Sequence, residues 1–171
     1  YFTPVEILLK NISSKGIYDQ LAGGIARYTV DENWIIPHFE KMLYDNIQFI
    51  NLLTKFYQKT KNEYFKNKLK QTIQFINQEF KNNLNLYGSA YDADSEGVEG
   101  KYYTWSYDEL KEILKENFDL FQKKYQISIE GNFEGKNILV ENQIDLEGDE
   151  IKKIDEIEKK LIEFRNKRIK P

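Results

Sequence analysis

The residues best equipped for chemistry lie between Ser89 and Trp105, in the run Ser-Ala-Tyr-Asp-Ala-Asp-Ser-Glu-Gly-Val-Glu-Gly-Lys-Tyr-Tyr-Thr-Trp. Four carboxylates, Asp92, Asp94, Glu96 and Glu99, fall within eight positions, and the rings of Tyr102, Tyr103 and Trp105 follow at once. Carboxylates accept hydrogen bonds from hydroxyls and move protons, while flat rings cover the apolar face of a sugar, so this composition suits a polyhydroxylated ligand. Asp92 and Asp94 stand two apart. On a strand they would point the same way and form a carboxylate pair that divides acid from base work. The plainer alternative is a solvated acidic loop. A calcium loop fits less well, because Asp92-x-Asp94-x-Glu96-Gly97 follows the start of an EF-hand but its twelfth position, which should be a bidentate Glu, is Tyr103.

His38 is the only histidine. The spacing predicts it at a helix start, where the dipole favours the neutral imidazole, a form able to act as a general base beside Glu40 and Lys41. His38, Lys41 and Asp45 follow at three- and four-residue intervals, which on a helix is one face. A structural hydrogen-bonding role is the plainer one for a lone histidine, and by itself it is no metal site. Arg27, followed by Tyr28, would clamp a carboxylate or phosphate, or make a surface ion pair. Trp34 and Trp105 are candidates either for a stacking platform or for the core.

The elements that must position these groups are mostly helical. Thr3-Pro4-Val5-Glu6 is a capping box that opens a helix over about 4–14. Residues 16–36 carry Gly16, Gly23 and Gly24 and an alternating stretch from Ile25 to Val30, which predicts a long connection with short strands. Pro37 is expected to open a helix to about 59 with Phe39, Met42, Leu43, Ile47, Ile50, Leu53 and Phe56 buried. A second helix over about 62–82, with Tyr64, Phe65, Leu69, Ile73, Ile76 and Phe80 inward, should pack antiparallel to it. The acidic stretch is expected at the tip of a hairpin formed by 87–91 and 101–105, with Tyr103 and Trp105 on one face. Ser106-Tyr107-Asp108-Glu109 caps a short helix, another follows near Phe118, and Ile138 to Val140 suggests a strand. The last helix, about 149–167, buries Ile151, Ile154, Ile157, Leu161 and Phe164. The glycine-rich run 131–137 lacks both the spacing and the Ser or Thr of a phosphate loop.

With 171 residues the chain is one domain or one piece of a larger one, and because it begins with Tyr1 and not Met it reads as a segment of something longer. A net charge of −3 argues against nucleic acid as a partner. The absence of cysteine excludes disulfides, thiol nucleophiles and thiolate metal sites, and no membrane span or signal peptide is visible. The expectation is a cytoplasmic protein without a cofactor or a bound metal. The 15% of aromatic residues is enough to build a core and to line a cleft.

Four strings taken together, Gly16-Ile17-Tyr18-Asp19-Gln20-Leu21-Ala22-Gly23-Gly24-Ile25-Ala26-Arg27-Tyr28, Trp34 to Asn46 with "PHFEKMLYDN", Asp92 to Lys101 with "DADSEGVEGK", and Gly131 to Leu139, resemble the DUF255 family. These are the YyaL-type thioredoxin-domain-containing proteins, with relatives among the spermatogenesis-associated thioredoxin-like proteins of animals. The resemblance spans essentially the whole chain. It implies a mainly α fold, the N-terminal part of an (α/α)6 toroid similar to N-acylglucosamine 2-epimerase and the six-hairpin glycosidases. Residues 1–171 would be a single segment of it, with a thioredoxin-like domain upstream and further hairpins downstream.

The function expected on that basis is carbohydrate binding or an epimerase-like modification. His38, Asp92 and Asp94 would supply acid and base groups, and Arg27, Tyr28, Glu40, Lys41, Asp45, Glu99, Tyr103 and Trp105 would hold a small sugar-like ligand. An epimerase would remove and restore a proton beside a carbonyl, whereas a hydrolase would set two carboxylates about 5–10 Å apart across a glycosidic bond. The rival expectation is a non-catalytic binding or scaffold module serving the thioredoxin-like domain, with self-association of the isolated segment as a further possibility.

Overall fold

The computed structural model describes residues 2–171, so Tyr1 lies outside the described residues. About half of the chain is helical and its strands are only two residues long, which makes the fold mainly α. Helix α1 (Phe2–Ser14) starts before the expected Pro4, so Thr3 lies within it and is not its cap. Helices α2 (Leu43–Thr60) and α3 (Glu63–Phe75) form the expected hairpin, and α3 continues into a π-helical turn over Ile76–Phe80. The reversal between them is made by Lys61, in the left-handed region at φ 54°, and by Asn62, whose side chain accepts from the Tyr64 N–H at 3.0 Å. Three further helices follow: α4 (Tyr107–Leu114), α5 (Phe118–Lys124) and α6 (Asp149–Arg165). Ser106 caps α4 as its sequence predicts, accepting from Glu109 N–H at 3.1 Å.

The two largest of four apolar clusters among the described residues organise the helices. Leu9 of α1, Tyr18, Phe49, Leu53 and Phe56 of α2 and Phe65 of α3 form one. Trp105, Leu110, Leu114, Phe118 and Phe121 pack against Ile154, Ile157 and Leu161 of α6 in the other. Each such side chain contributes about 1.5–3 kcal/mol when fully buried. The expected stripes differ at their edges. Ile47, Ile73 and Ile151 are more than two-fifths exposed, and Phe164 is 38% exposed. On α2 the inward place is taken by Asn46, which is fully buried. Its amide accepts from Ile25 N–H at 2.8 Å and donates to Ile25 O at 3.0 Å, bonding the preceding loop to the helix and turning Phe49 inward in place of Ile47.

Two expectations about the functional stretches are overturned. The helix expected from Pro37 begins only at Leu43, because residues 37–42 are extended. Strand β2 (Pro37–His38) pairs antiparallel with β1 (Tyr28–Thr29), and β3 (Lys41–Met42) with β4 (Ala90–Tyr91). The hairpin of 87–91 with 101–105 does not form either. The acidic hairpin is much tighter, β5 (Asp94–Ser95) with β6 (Val98–Glu99), and residues 90–91 are already paired to β3. Glu96 at φ 55° and Gly97 at φ 73° form its two-residue turn, the left-handed pair that matches strand twist. Trp105 pairs its backbone with Asn137 instead, and Ile138 to Val140 is a buried connection and not a strand.

Candidate functional site

Residues 37–42 decide the site. In an extended chain successive side chains point to opposite faces. Pro37, Phe39 and Lys41 are buried while His38, Glu40 and Met42 stay partly exposed. A helix would have joined His38 to Lys41 on one face. The extended strip separates them into two ionic groups, one wet and one dry.

On the wet face His38 Nδ1 lies 2.8 Å from Glu99 Oε1, with the two side chains 33% and 45% exposed. An ionised carboxylate only accepts, so Nδ1 carries the proton in this contact, and in the neutral imidazole the lone pair then lies on Nε2. Tyr28, opposite His38 in the β1–β2 ladder, stacks on the imidazole with centroids 5.0 Å apart and planes at 17°. Asp94 lies directly across the β5–β6 ladder from Glu99. Beside them Arg27 donates from Nη1 to Glu40 Oε2 at 3.1 Å, and the Arg27 N–H donates to the Glu40 carbonyl at 2.9 Å. Asp45, in the first turn of α2, has a buried Oδ2 without a hydrogen-bond partner among the described residues. Burial pushes its carboxyl up, nearby Arg27 opposes this, and Glu40 adds to it. The structure therefore gathers Arg27, Tyr28, His38, Glu40, Asp45, Asp94 and Glu99 on this face.

Other expected members lie elsewhere. Asp92 is exposed, but its Oδ1 accepts from the Ala93 and Asp94 N–H groups at 2.7 and 3.4 Å, so it closes its own turn. Among the described residues neither Asp92 nor Asp94 makes a hydrogen bond or ion pair with His38. Trp105 is 0% exposed, with the Arg168 guanidinium 4.0 Å above its ring, so its expected role of stacking on a ligand is corrected to a core role. Glu96 forms an exposed ion pair with Lys101 at 2.7 Å, and among the described residues no group of three or more His, Cys, Asp or Glu is arranged to hold a metal ion.

Lys41 and Tyr103 belong to the dry group. Lys41 Nζ donates to Asp19 Oδ2 at 3.1 Å and to the Gly23 carbonyl at 3.2 Å, and it lies over the rings of Phe75 and Tyr103 at 4.4 and 4.7 Å. Asp19 Oδ1 accepts from Arg165 Nη1 at 2.9 Å and from the Leu21 and Ala22 N–H groups at 3.1 and 3.2 Å. Burial alone would raise the Asp19 carboxyl, but Arg165 and Lys41 together outweigh it and hold the group well below the usual carboxylate range. For Lys41 the balance runs the other way, because burial lowers its ammonium more than Asp19 restores it. A cavity of 30 Å³ between this group and Phe39 has room for one or two waters and no sugar.

Sequence reasoning missed Asp19 and Arg165, yet Arg165 had a signal. It continues the buried series Ile154, Ile157, Leu161 of α6. An arginine on an apolar stripe needs a buried acid.

With this geometry in hand, known proteins supply a comparison. The chain is similar to spermatogenesis-associated protein 20. It is 33% identical to the Mus musculus protein over 140 residues, 72% of this chain and 18% of that protein. Against the Rattus norvegicus protein it is 31% identical over 167 residues, 82% and 21% of the two lengths, and against the Homo sapiens protein 33% over 114 residues, 63% and 14%. The chain thus spans about a fifth or less of the length of the curated relatives it matches. No family model matches it. Among the described residues no helix is long and apolar enough to cross a membrane.

Proposed function

We propose that the wet face binds a sugar or similar polyhydroxylated molecule and moves a proton on it. The supporting observation is the His38–Glu99 contact of 2.8 Å, an imidazole oriented by a carboxylate and stacked on the Tyr28 ring, its second nitrogen making no hydrogen bond among the described residues. A general base needs this combination of a fixed tautomer, an open nitrogen and a surface for the substrate. In an epimerase-like reaction Nε2 of His38 takes the proton beside a carbonyl, Asp94 is the second proton-transfer group, and Arg27, Glu40 and Asp45 bond the hydroxyls. On the same proposal the chain is the first part of an (α/α)6 toroid in a cytoplasmic DUF255 protein with a thioredoxin-like domain upstream, and the remaining hairpins wall the face into a funnel. The carbohydrate class itself rests on fold analogy.

The test is a thermal-shift and calorimetric screen of monosaccharides on the full-length protein, repeated with His38→Ala and Glu99→Ala. The expected result is at least one sugar that stabilises the parent protein, with both variants losing that stabilisation while their unliganded Tm stays the same. Sugar binding unaffected in both variants, or no binding in the parent, would overturn the proposal. A lower unliganded Tm with no ligand effect would mark the face as a structural module.

A further inference from the structure

The dry group contains two cationic side chains, Lys41 and Arg165, and one carboxylate, Asp19, with side-chain exposures of 4%, 3% and 6%. The next acid, Glu79, is held by Lys170 Nζ at 2.6 Å and by the Tyr91 hydroxyl at 3.1 Å. The centre therefore lacks one negative charge, and a buried unpaired cation is costly. Two donors are also idle. Among the described residues Arg165 Nε is buried with no hydrogen-bond partner and the Tyr103 hydroxyl makes no hydrogen bond, although its ring is fixed against Phe39 at 5.7 Å. Both residues border an open cleft of 490 Å³ between α3 and α6, where the rings of Phe75, Tyr91 and Tyr102 also lie.

We propose that this cleft is a second binding site, separate from the His38 face, for a small organic monocarboxylate. Its carboxylate accepts from Arg165 and the Tyr103 hydroxyl and supplies the missing charge, and its apolar body lies along the rings. A dianion such as phosphate fits less well. It would overshoot the deficit and face Glu158 and Asp155, which line the same cleft seven and ten residues earlier on α6, about 10 and 15 Å away along the helix. Burial presses the Lys41 ammonium down, with Arg165 beside it pressing the same way, so a bound anion will hold the proton on Lys41 to higher pH, and proton uptake on binding is confined to alkaline pH.

The experiment is isothermal titration of the full-length protein with benzoate, with benzyl alcohol as the neutral counterpart and inorganic phosphate as the dianion. Runs at alkaline pH in buffers of different ionisation enthalpy will detect proton uptake. Benzoate is expected to bind with proton uptake, benzyl alcohol and phosphate at least about tenfold more weakly. Tyr103→Phe should weaken benzoate about tenfold at unchanged Tm, because the ring and its packing remain. Arg165→Gln should abolish binding, and it leaves Asp19 and Lys41 as a matched pair. His38→Ala should leave benzoate binding unchanged, which separates this site from the sugar proposal. The proposal falls if benzoate does not bind at millimolar concentration, if phosphate binds equally well, or if Tyr103→Phe and Arg165→Gln both bind benzoate like the parent.

Discussion

On one side of residues 37–42, His38 and Glu99 leave 33% and 45% of their side-chain surface in water, while on the other Lys41, Asp19 and Arg165 leave 4%, 6% and 3%. Both groups are acid–base contacts of about 3 Å, yet they differ in what holds them. Water screens and partly replaces the wet contact, so the fold depends little on it and it is free to serve a ligand. The dry contact has no substitute partner. Removing one member strands the others, and the same residue types become structural. Proximity of an acid and a base therefore does not identify a site, and solvent access must be considered with it.

The contrast is broken most severely at Asp19. Asp19→Asn leaves Lys41 and Arg165 buried without an anion, and a loss of about 3–5 kcal/mol in urea denaturation is expected. A loss below about 1 kcal/mol would show the centre to be wetter than it looks. A second, smaller effect is expected at Gly100, whose φ is 70° and where an added Cβ would lie 2.4 Å from the Phe39 ring. Gly100→Ala should cost more than about 1 kcal/mol, because the left-handed backbone and the ring contact both resist it.

Lys41→Met sharpens the comparison from within the dry side. It removes the surplus cation and leaves Asp19 with Arg165, so the expected change is within about 1 kcal/mol, far less than for Asp19→Asn. The pH dependence follows the same division. The folded Asp19 carboxyl lies below its unfolded value, so its contribution is complete above the unfolded pKa of about 4 and is lost as pH falls through the folded value. Denaturation midpoints of the parent should therefore fall on acidification below about pH 4 more steeply than those of Asp19→Asn. Equal slopes would remove Asp19 from the account. The smallest effect belongs to the wet side, where His38→Ala and Glu99→Gln should each change stability by less than about 0.5 kcal/mol.

Helix identity was legible wherever an apolar stripe ran for several turns, as in α2, α3 and α6, and the Ser106 cap was legible because it is a local hydrogen bond. The strip 37–42 was not. A proline followed by mixed polar and apolar residues suits a helix start as well as a strand, and the choice was made by partners at Tyr28–Thr29 and Ala90–Tyr91, the latter some fifty residues away. The stretch that holds the acidic hairpin is legible from its carboxylates and glycines, but its strands are not, since β3 competes for residues 90–91 and leaves the pairing to 94–95 and 98–99.

The sequence by itself determined a cysteine-free, mainly helical chain, the location of its acidic turn, and the residue types available for proton transfer, because these depend on composition and local periodicity. The tertiary structure decided which of those residues share water. Long-range backbone pairing fixed the alternation of residues 37–42, sending His38 out to Glu99 and Lys41 in to Asp19, and Arg165 reached that centre from 146 positions along the chain. Desolvation depends on everything packed around a group, so it could not be read from neighbours in sequence.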